Sequence, residues 1–159
     1  MKIAIEDYVA RIANASPAQL VVINYEIVID YLTLALNGLI KKEDVRQTDM
    51  TLTKARQFLN ELRTSLNMGY TVSKYLMRIY LYVDKEICYC LANRKTVHIE
   101  NAIKAMSSLL ESWHEIEKQE IEKSPVMENS QQLYAGLTYN RSGELTEYVD
   151  IDKNRGYKA

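Results

Sequence analysis

Most positions between Ser16 and Lys42 are apolar. Glu26, Asp30, Thr33 and Asn37 interrupt the run at spacings of four, three and four, so a helix collects them into one narrow polar stripe. Leu20, Ile23, Ile27, Tyr31 and Leu34 fall on one side of this first helix, and Val21, Tyr25, Val28, Leu32 and Leu39 on another. A helix so apolar must be covered over most of its surface. Its start is marked by Ser16-Pro17-Ala18-Gln19, which supplies an N-cap serine, a proline at the first helical position and the glutamine of a capping box.

Three more helices follow from the same periodicity. The second covers about 44–67, with Leu52, Ala55, Leu59, Leu62 and Leu66 as one stripe and Lys54, Arg56, Asn60, Glu61 and Arg63 on the wet side. Asn67-Met68-Gly69 is expected to end it, with Gly69 free to take a positive φ. The third covers about 71–93, carrying Val72, Leu76, Ile79, Val83, Ile87 and Cys90, and a weaker stripe of Met77, Leu81 and Cys88. The fourth covers about 96–123, carrying Ile99, Ala102, Met106, Leu109, Trp113 and Ile116. Short connections favour antiparallel neighbours crossing at about 20°. The predicted fold class is all-α: an antiparallel up-down four-helix bundle over residues 1–123, its first 15 residues an arm that lays Ile3, Ile5, Tyr8 and Ile12 against it. The first and third helices carry more apolar surface than a four-helix core consumes. Residues 124–159 form an irregular C-terminal tail, with turn signals at Asn140-Arg141-Ser142-Gly143 and Asn154-Arg155-Gly156. Its Leu133, Tyr134, Leu137, Leu145, Tyr148, Val149 and Ile151 are too many apolar groups for a simply solvated tail. It either folds back over an apolar groove of the bundle, packs elsewhere, or stays unfolded.

Composition narrows the function. The 159 residues suit one domain, and 5 Gly, 2 Pro and 1 Phe argue against an all-β sandwich or barrel. A net charge of −1 leaves no footprint for nucleic acid or an anionic membrane. Glu6 and Asp7 come too early for a signal peptide. Glu26 and Asp30 interrupt the longest apolar stretch, and a charge at a bilayer centre costs about 2.5–3.5 kcal/mol, so no membrane insertion and a cytoplasmic location are expected. Cys88 and Cys90 lie about 200° apart on a helix and read as two buried free thiols.

Catalytic motifs are missing: there is no phosphate-cradling glycine loop, nucleophile elbow or CxxC, so no enzyme and no cofactor are expected. Glu111-Ser112-Trp113-His114 has the E-x-x-H spacing of di-iron bundles, but Trp113 occupies the core stripe. Glu111 and His114 then fall about 160° and 100° from it, on the outer face, and no metal is expected. His98 has no evident partner in the pattern. Of 12 tyrosines, Tyr75, Tyr80, Tyr82 and Tyr89 share the third helix as core and boundary residues, or as an aromatic binding surface.

Several pieces, in order, resemble one known family. They are Tyr8; Asn14-Ala15-Ser16-Pro17-Ala18-Gln19-Leu20; Tyr25-Glu26; Lys54-Ala55; Glu61-Leu62; Ser65-Leu66-Asn67-Met68 with Gly69; Leu76; Tyr80; Leu91-Ala92-Asn93; and Trp113. Over about residues 8–118 the chain resembles the FliS family of flagellar export chaperones. The resemblance implies a cytosolic helix bundle that binds the C-terminal region of flagellin, blocks premature polymerisation and assists export, with export-gate components as further partners. Carried onto this chain, it implies partner-binding residues Tyr8, Ile12, Pro17, Leu20, Ile23, Tyr25, Ile27, Leu62, Leu66 and Tyr80. Recognition would lay helices of a client, disordered when free, into apolar grooves. Two departures bear on this: where the family usually reads Leu-Tyr-Asp-Gly, this chain has Asn24-Tyr25-Glu26-Ile27, and a usual Asp is Asn67. The competing readings are a regulatory binding protein of the same export system and a helical-bundle metalloprotein.

Overall fold

The computed structural model describes residues 5–122. They form five helices, α1 (Ile5–Ala13), α2 (Pro17–Ile40), α3 (Val45–Thr64), α4 (Thr71–Asn93) and α5 (Thr96–Glu122), and among the described residues there is no strand. The four long helices match their expected spans to within a few residues at each end. The tail, its two turn signals and its docking lie outside the described residues.

The expected arm is instead a fifth helix. Glu6 and Asp7 occupy the first turn of α1 and Arg11 the last, the arrangement that favours the helix dipole at both ends. Nine residues are too few to hold a helix in water, so docking must sustain it. It packs on α2, where the Tyr8 hydroxyl donates to Asp30 Oδ2 at 2.6 Å and Arg11 pairs with Glu26 at 2.5 Å. The stripe that interrupts α2 is therefore the seat of α1. Helical geometry turns Ile12 outward, so it is exposed rather than laid against the bundle as expected.

The start of α2 is as the sequence predicts. Ser16 Oγ accepts from the Gln19 N–H at 3.3 Å and Gln19 Oε1 accepts from the Ser16 N–H at 2.9 Å, closing the capping box ahead of Pro17. From there α2 packs between α3 and α5, while α4 contacts both of those helices. Val21, Tyr25, Val28, Leu32 and Ala35 of α2 meet Leu52, Ala55, Leu59, Val83, Ile87, Ile99, Ala102, Met106 and Trp113 in one buried cluster. Gly38 sets the approach of α3, since a Cβ there would lie 2.9 Å from Thr48 Oγ1.

One turn expectation is corrected. Gly69 takes no positive φ; Lys42 and Arg94 do, at 54° and 60°. The end of α3 has no need of a left-handed residue, because the Ser65 hydroxyl donates to the Glu61 and Leu62 carbonyls. Gly69 instead gives its N–H to Asn67 Oδ1 at 3.0 Å. The thiols also differ from expectation: Cys90 is buried, but Cys88 is only half-buried on the α4 flank.

The capping box yields a direct test. Ser16→Ala should cost about 0.5–2 kcal/mol, read as a lowered melting temperature, because α2 then loses the acceptor for its Gln19 N–H. An unchanged melting curve would show that Pro17 alone starts the helix.

Candidate functional site

The sequence points to ten partner-binding residues, and the fold divides them into two sets. Ile23, Tyr25, Ile27, Leu62 and Tyr80 are sealed in the core. Tyr8, Ile12, Pro17, Leu20 and Leu66 are half-buried or exposed, and of these Tyr8 and Leu66 pack against the core from outside. Helical periodicity identifies an apolar position but does not say whether a neighbouring helix already covers it.

Tyr25 is the centre of the buried set. Its hydroxyl lies 2.5 Å from the Tyr80 hydroxyl and accepts from Trp113 Nε1 at 3.0 Å. The three rings come from α2, α4 and α5, with Tyr80 and Trp113 centroids 6.2 and 6.4 Å from that of Tyr25, both tilted. Trp113 can only donate, so the Tyr25 oxygen accepts and one remaining hydroxyl proton serves the contact with Tyr80. Burial pushes the Tyr25 hydroxyl up to about 12, against the pull of its bonds with Tyr80 and Trp113. Burial, reinforced by Tyr25, also raises Tyr80 well above the usual tyrosine value. These groups stay neutral at any ordinary pH and do structural work.

Neighbouring departures fit into the same region. Asn24 is buried, and its amide donates to the Leu20 carbonyl at 3.0 Å, so this departure from the family pattern finds its partner within α2. Glu26 faces Arg11 of α1, and Ile27 fills core space.

The helix ends carry polar networks that periodicity could not show. His98 Nδ1 lies 2.9 Å from Glu86 Oε2, which also accepts from Asn101 at 3.2 Å; His98 therefore has the partner that the sequence pattern failed to supply. Arg94 pairs with Asp49 through both guanidinium nitrogens, and Arg56 pairs with Asp84 at 2.7 Å. The Arg94 hydrogen bonds hold the Asp49 carboxyl below its usual range. Glu111 is exposed and Trp113 buried, as the outer-face reading of the E-x-x-H motif requires, while His114 is half-buried. Among the described residues no three His, Cys, Asp or Glu side chains cluster as a metal site.

The surplus apolar surface of α2 is largely consumed, since α1, α3 and α5 cover it and only Ile40 remains as an exposed large side chain. That of α4 is not: Tyr75, Leu81, Tyr82 and Tyr89 stay exposed. Of the four α4 tyrosines, only Tyr80 is core. A groove of about 480 Å³ runs between α4 and α5, lined by Arg78, Ile79 and Tyr82 on one side and by Ala105, Ser108, Leu109 and Ser112 on the other.

Among the described residues, a helical core knit by aromatic hydroxyls, with an aromatic helix face left at the surface, defines a small helical protein. The chain belongs to the FliS family: the family described as "Flagellar protein FliS" matches residues 4–120. This is a family of flagellar export chaperones rather than enzymes. No curated protein with which it was compared matches it.

Two outcomes test the aromatic centre. Tyr25→Phe removes the acceptor of Trp113 Nε1 and the partner of the Tyr80 hydroxyl, and should cost about 1–3 kcal/mol by denaturant titration, with a shifted Trp113 emission. The second outcome concerns pH. Both tyrosines are raised in the folded state, so the stability they contribute is complete below the unfolded value of 10.0 and is lost as pH rises through the folded values, about 12 for Tyr25. Tyr8 and Tyr31 are raised by burial too, so alkaline titration should show late tyrosinate absorbance, and the part of it that Tyr25→Phe and Tyr80→Phe remove should coincide with loss of helical circular dichroism. Ionisation of all tyrosines before any loss of helix would refute the assignment.

Proposed function

We propose that this chain is a cytosolic chaperone that binds the C-terminal segment of flagellin, prevents premature polymerisation and assists export by the flagellar secretion system. The observation that carries this reading is the family match across residues 4–120, where the described secondary structure is helical. The fold is read as an antiparallel up-down bundle of α2–α5. Paired contacts support this: Asp49 meets Arg94 while Arg56 meets Asp84, so position advances along α3 as it recedes along α4.

In this reading Tyr8, Ile12, Pro17, Leu20 and Leu66 touch the client. Ile23, Tyr25, Ile27, Leu62 and Tyr80 shape the surface from beneath. The seat of α1 on α2 depends on a Tyr8–Asp30 hydrogen bond and an Arg11–Glu26 pair whose members are partly solvated. Such exposed contacts hold a segment loosely. A client helix competing for α2 has these and the packing of Tyr8 against the core to replace. Components of the export gate are further partners.

A complex of one chaperone with one flagellin is expected, burying more than the ~1,200–2,000 Å² of a standard interface, because a wrapping segment covers more than a docked globule. Isothermal titration should give tight binding to full flagellin and none after deletion of the last few tens of client residues. Undiminished affinity for the truncated client would overturn the proposed mode.

A further inference from the structure

Tyr75, Arg78, Tyr82, Lys85 and Tyr89 recur along α4 at spacings of three and four, which places them on one continuous face. The tyrosines are 60%, 44% and 42% exposed, too much for core or boundary residues. The cations are laid over the rings: Arg78 lies 5.9 Å from the Tyr75 centroid and Lys85 Nζ 5.4 Å from that of Tyr89. Asp84 and Glu86 are the acids of α4, and both are engaged, Asp84 with Arg56 and Glu86 with His98 and Asn101. The face is thus aromatic and positive, with the α4–α5 groove running along Arg78 and Tyr82. It lies on the side of α4 turned away from α2, which carries the α1 seat: Tyr80 meets Tyr25 of α2, and Tyr75, Tyr82 and Tyr89 sit about 140–180° around α4 from Tyr80.

We propose that residues 144–152 of the same chain dock on this face. Their sequence, Glu144-Leu145-Thr146-Glu147-Tyr148-Val149-Asp150-Ile151-Asp152, carries four acids, no cation and four large apolar groups. No other stretch after Glu122 has that chemistry: residues 123–141 hold Lys123 and Arg141 against the single acid Glu128. Acids meet Arg78 and Lys85, while Leu145, Tyr148, Val149 and Ile151 meet the tyrosine rings and Ile79 and Leu109 of the groove.

The reach fits. Ser108 lies about 21 Å back along α5 from Glu122, at 1.5 Å per residue. Glu144 follows Glu122 by 22 residues, and random-coil statistics give a chain of that length a span of about 25 Å on average. Tethering then supplies an effective concentration of about 1 mM, so a segment of only about 0.1 mM intrinsic affinity is docked about ten times as often as it is free. The docked segment shields the exposed rings from other acidic, apolar sequences. This inference concerns the α4 face rather than the α1 seat and does not depend on the identity of the client.

Hydrogen exchange on the full chain tests it. Amides of 144–152 should exchange about tenfold more slowly than coil at the docked population given above. The protection should vanish in Arg78→Glu/Lys85→Glu and return when Glu147→Lys and Asp150→Lys are added. Tyr75→Gln/Tyr82→Gln should weaken it without reversing charge, and circular dichroism should confirm the fold of every variant. Carbodiimide coupling in a mixture of light and heavy isotope-labelled chains should join Lys85 to tail carboxylates within one chain. Coil-like exchange in the unaltered chain, or protection indifferent to the Arg78 and Lys85 reversals, would overturn the proposal. So would light-to-heavy crosslinks in place of intrachain ones, which would make a second copy the occupant.

Discussion

The apolar circumference of α2 is the constraint to which the other helices respond. Eleven of its 24 residues are buried, and Val22, Ile23, Tyr31 and Leu32 among them point to four different sides of the helix. Two flanking helices cannot close such a surface unless a further element seals the side they leave open. The Glu26–Asp30 stripe lies on that side, and α1 covers it with Tyr8 and Arg11, whose polar ends match those carboxylates. The least apolar part of α2 is therefore the part served by the shortest helix and the most solvated contacts. An exposed ion pair contributes little to stability. Apolar burial against α3 and α5 contributes far more, which makes α1 the cheapest neighbour of α2 to remove.

Within the core, one polar point joins three helices. Hydroxyls of Tyr25 and Tyr80 and the indole N–H of Trp113 converge from three helices, and each would be costly if left without a partner. Packing of leucine against leucine tolerates sliding; a hydrogen bond of 2.5–3.0 Å does not. The triad sets the relative heights of α2, α4 and α5, while the partly exposed pairs Arg56–Asp84 and Arg94–Asp49 link α3 to α4. Because α4 is fixed in rotation by Tyr80, its other tyrosines are fixed outward. Tyr75, Tyr82 and Tyr89 sit at −5, +2 and +9 from Tyr80, which at 100° per residue is about 140–180° around the helix from it.

The molecule thus has two surfaces with different physics. One is the α1 seat, where a short helix rests on carboxylates of a helix that is otherwise apolar. The other is the α4 face, where cations lie on partly exposed aromatic rings beside a groove. A chaperone for an export client needs apolar surface that is available to the client yet masked in its absence. A short helix with loosely held polar contacts can serve the first surface. A tethered acidic segment can serve the second, since tethering multiplies weak affinity without requiring a stable structure.

The helices were legible in the chain because their causes are local. Ser16 and Gln19 read as a capping box and form one; Leu52, Ala55, Leu59 and Leu62 read as a core stripe and are buried. The motif residues of the family were legible too, though not that Tyr25, Tyr80 and Trp113, up to 88 positions apart, meet at one point. Where periodicity failed, the missing information was another helix. Leu20 and Ile23 look alike as letters, yet one is half-exposed and the other sealed. Tyr80 and Tyr82 look equally aromatic, yet one is in the core and the other at the surface. His98 seemed partnerless until α4 brought Glu86 beside it. Short-range spacing and capping chemistry act within one turn, so the chain alone determined where helices begin, which stripe is apolar and that the class is all-α. Burial, the pairing of buried polar groups and the face left open depend on the relative rotation of helices distant in sequence, and only tertiary packing decides that.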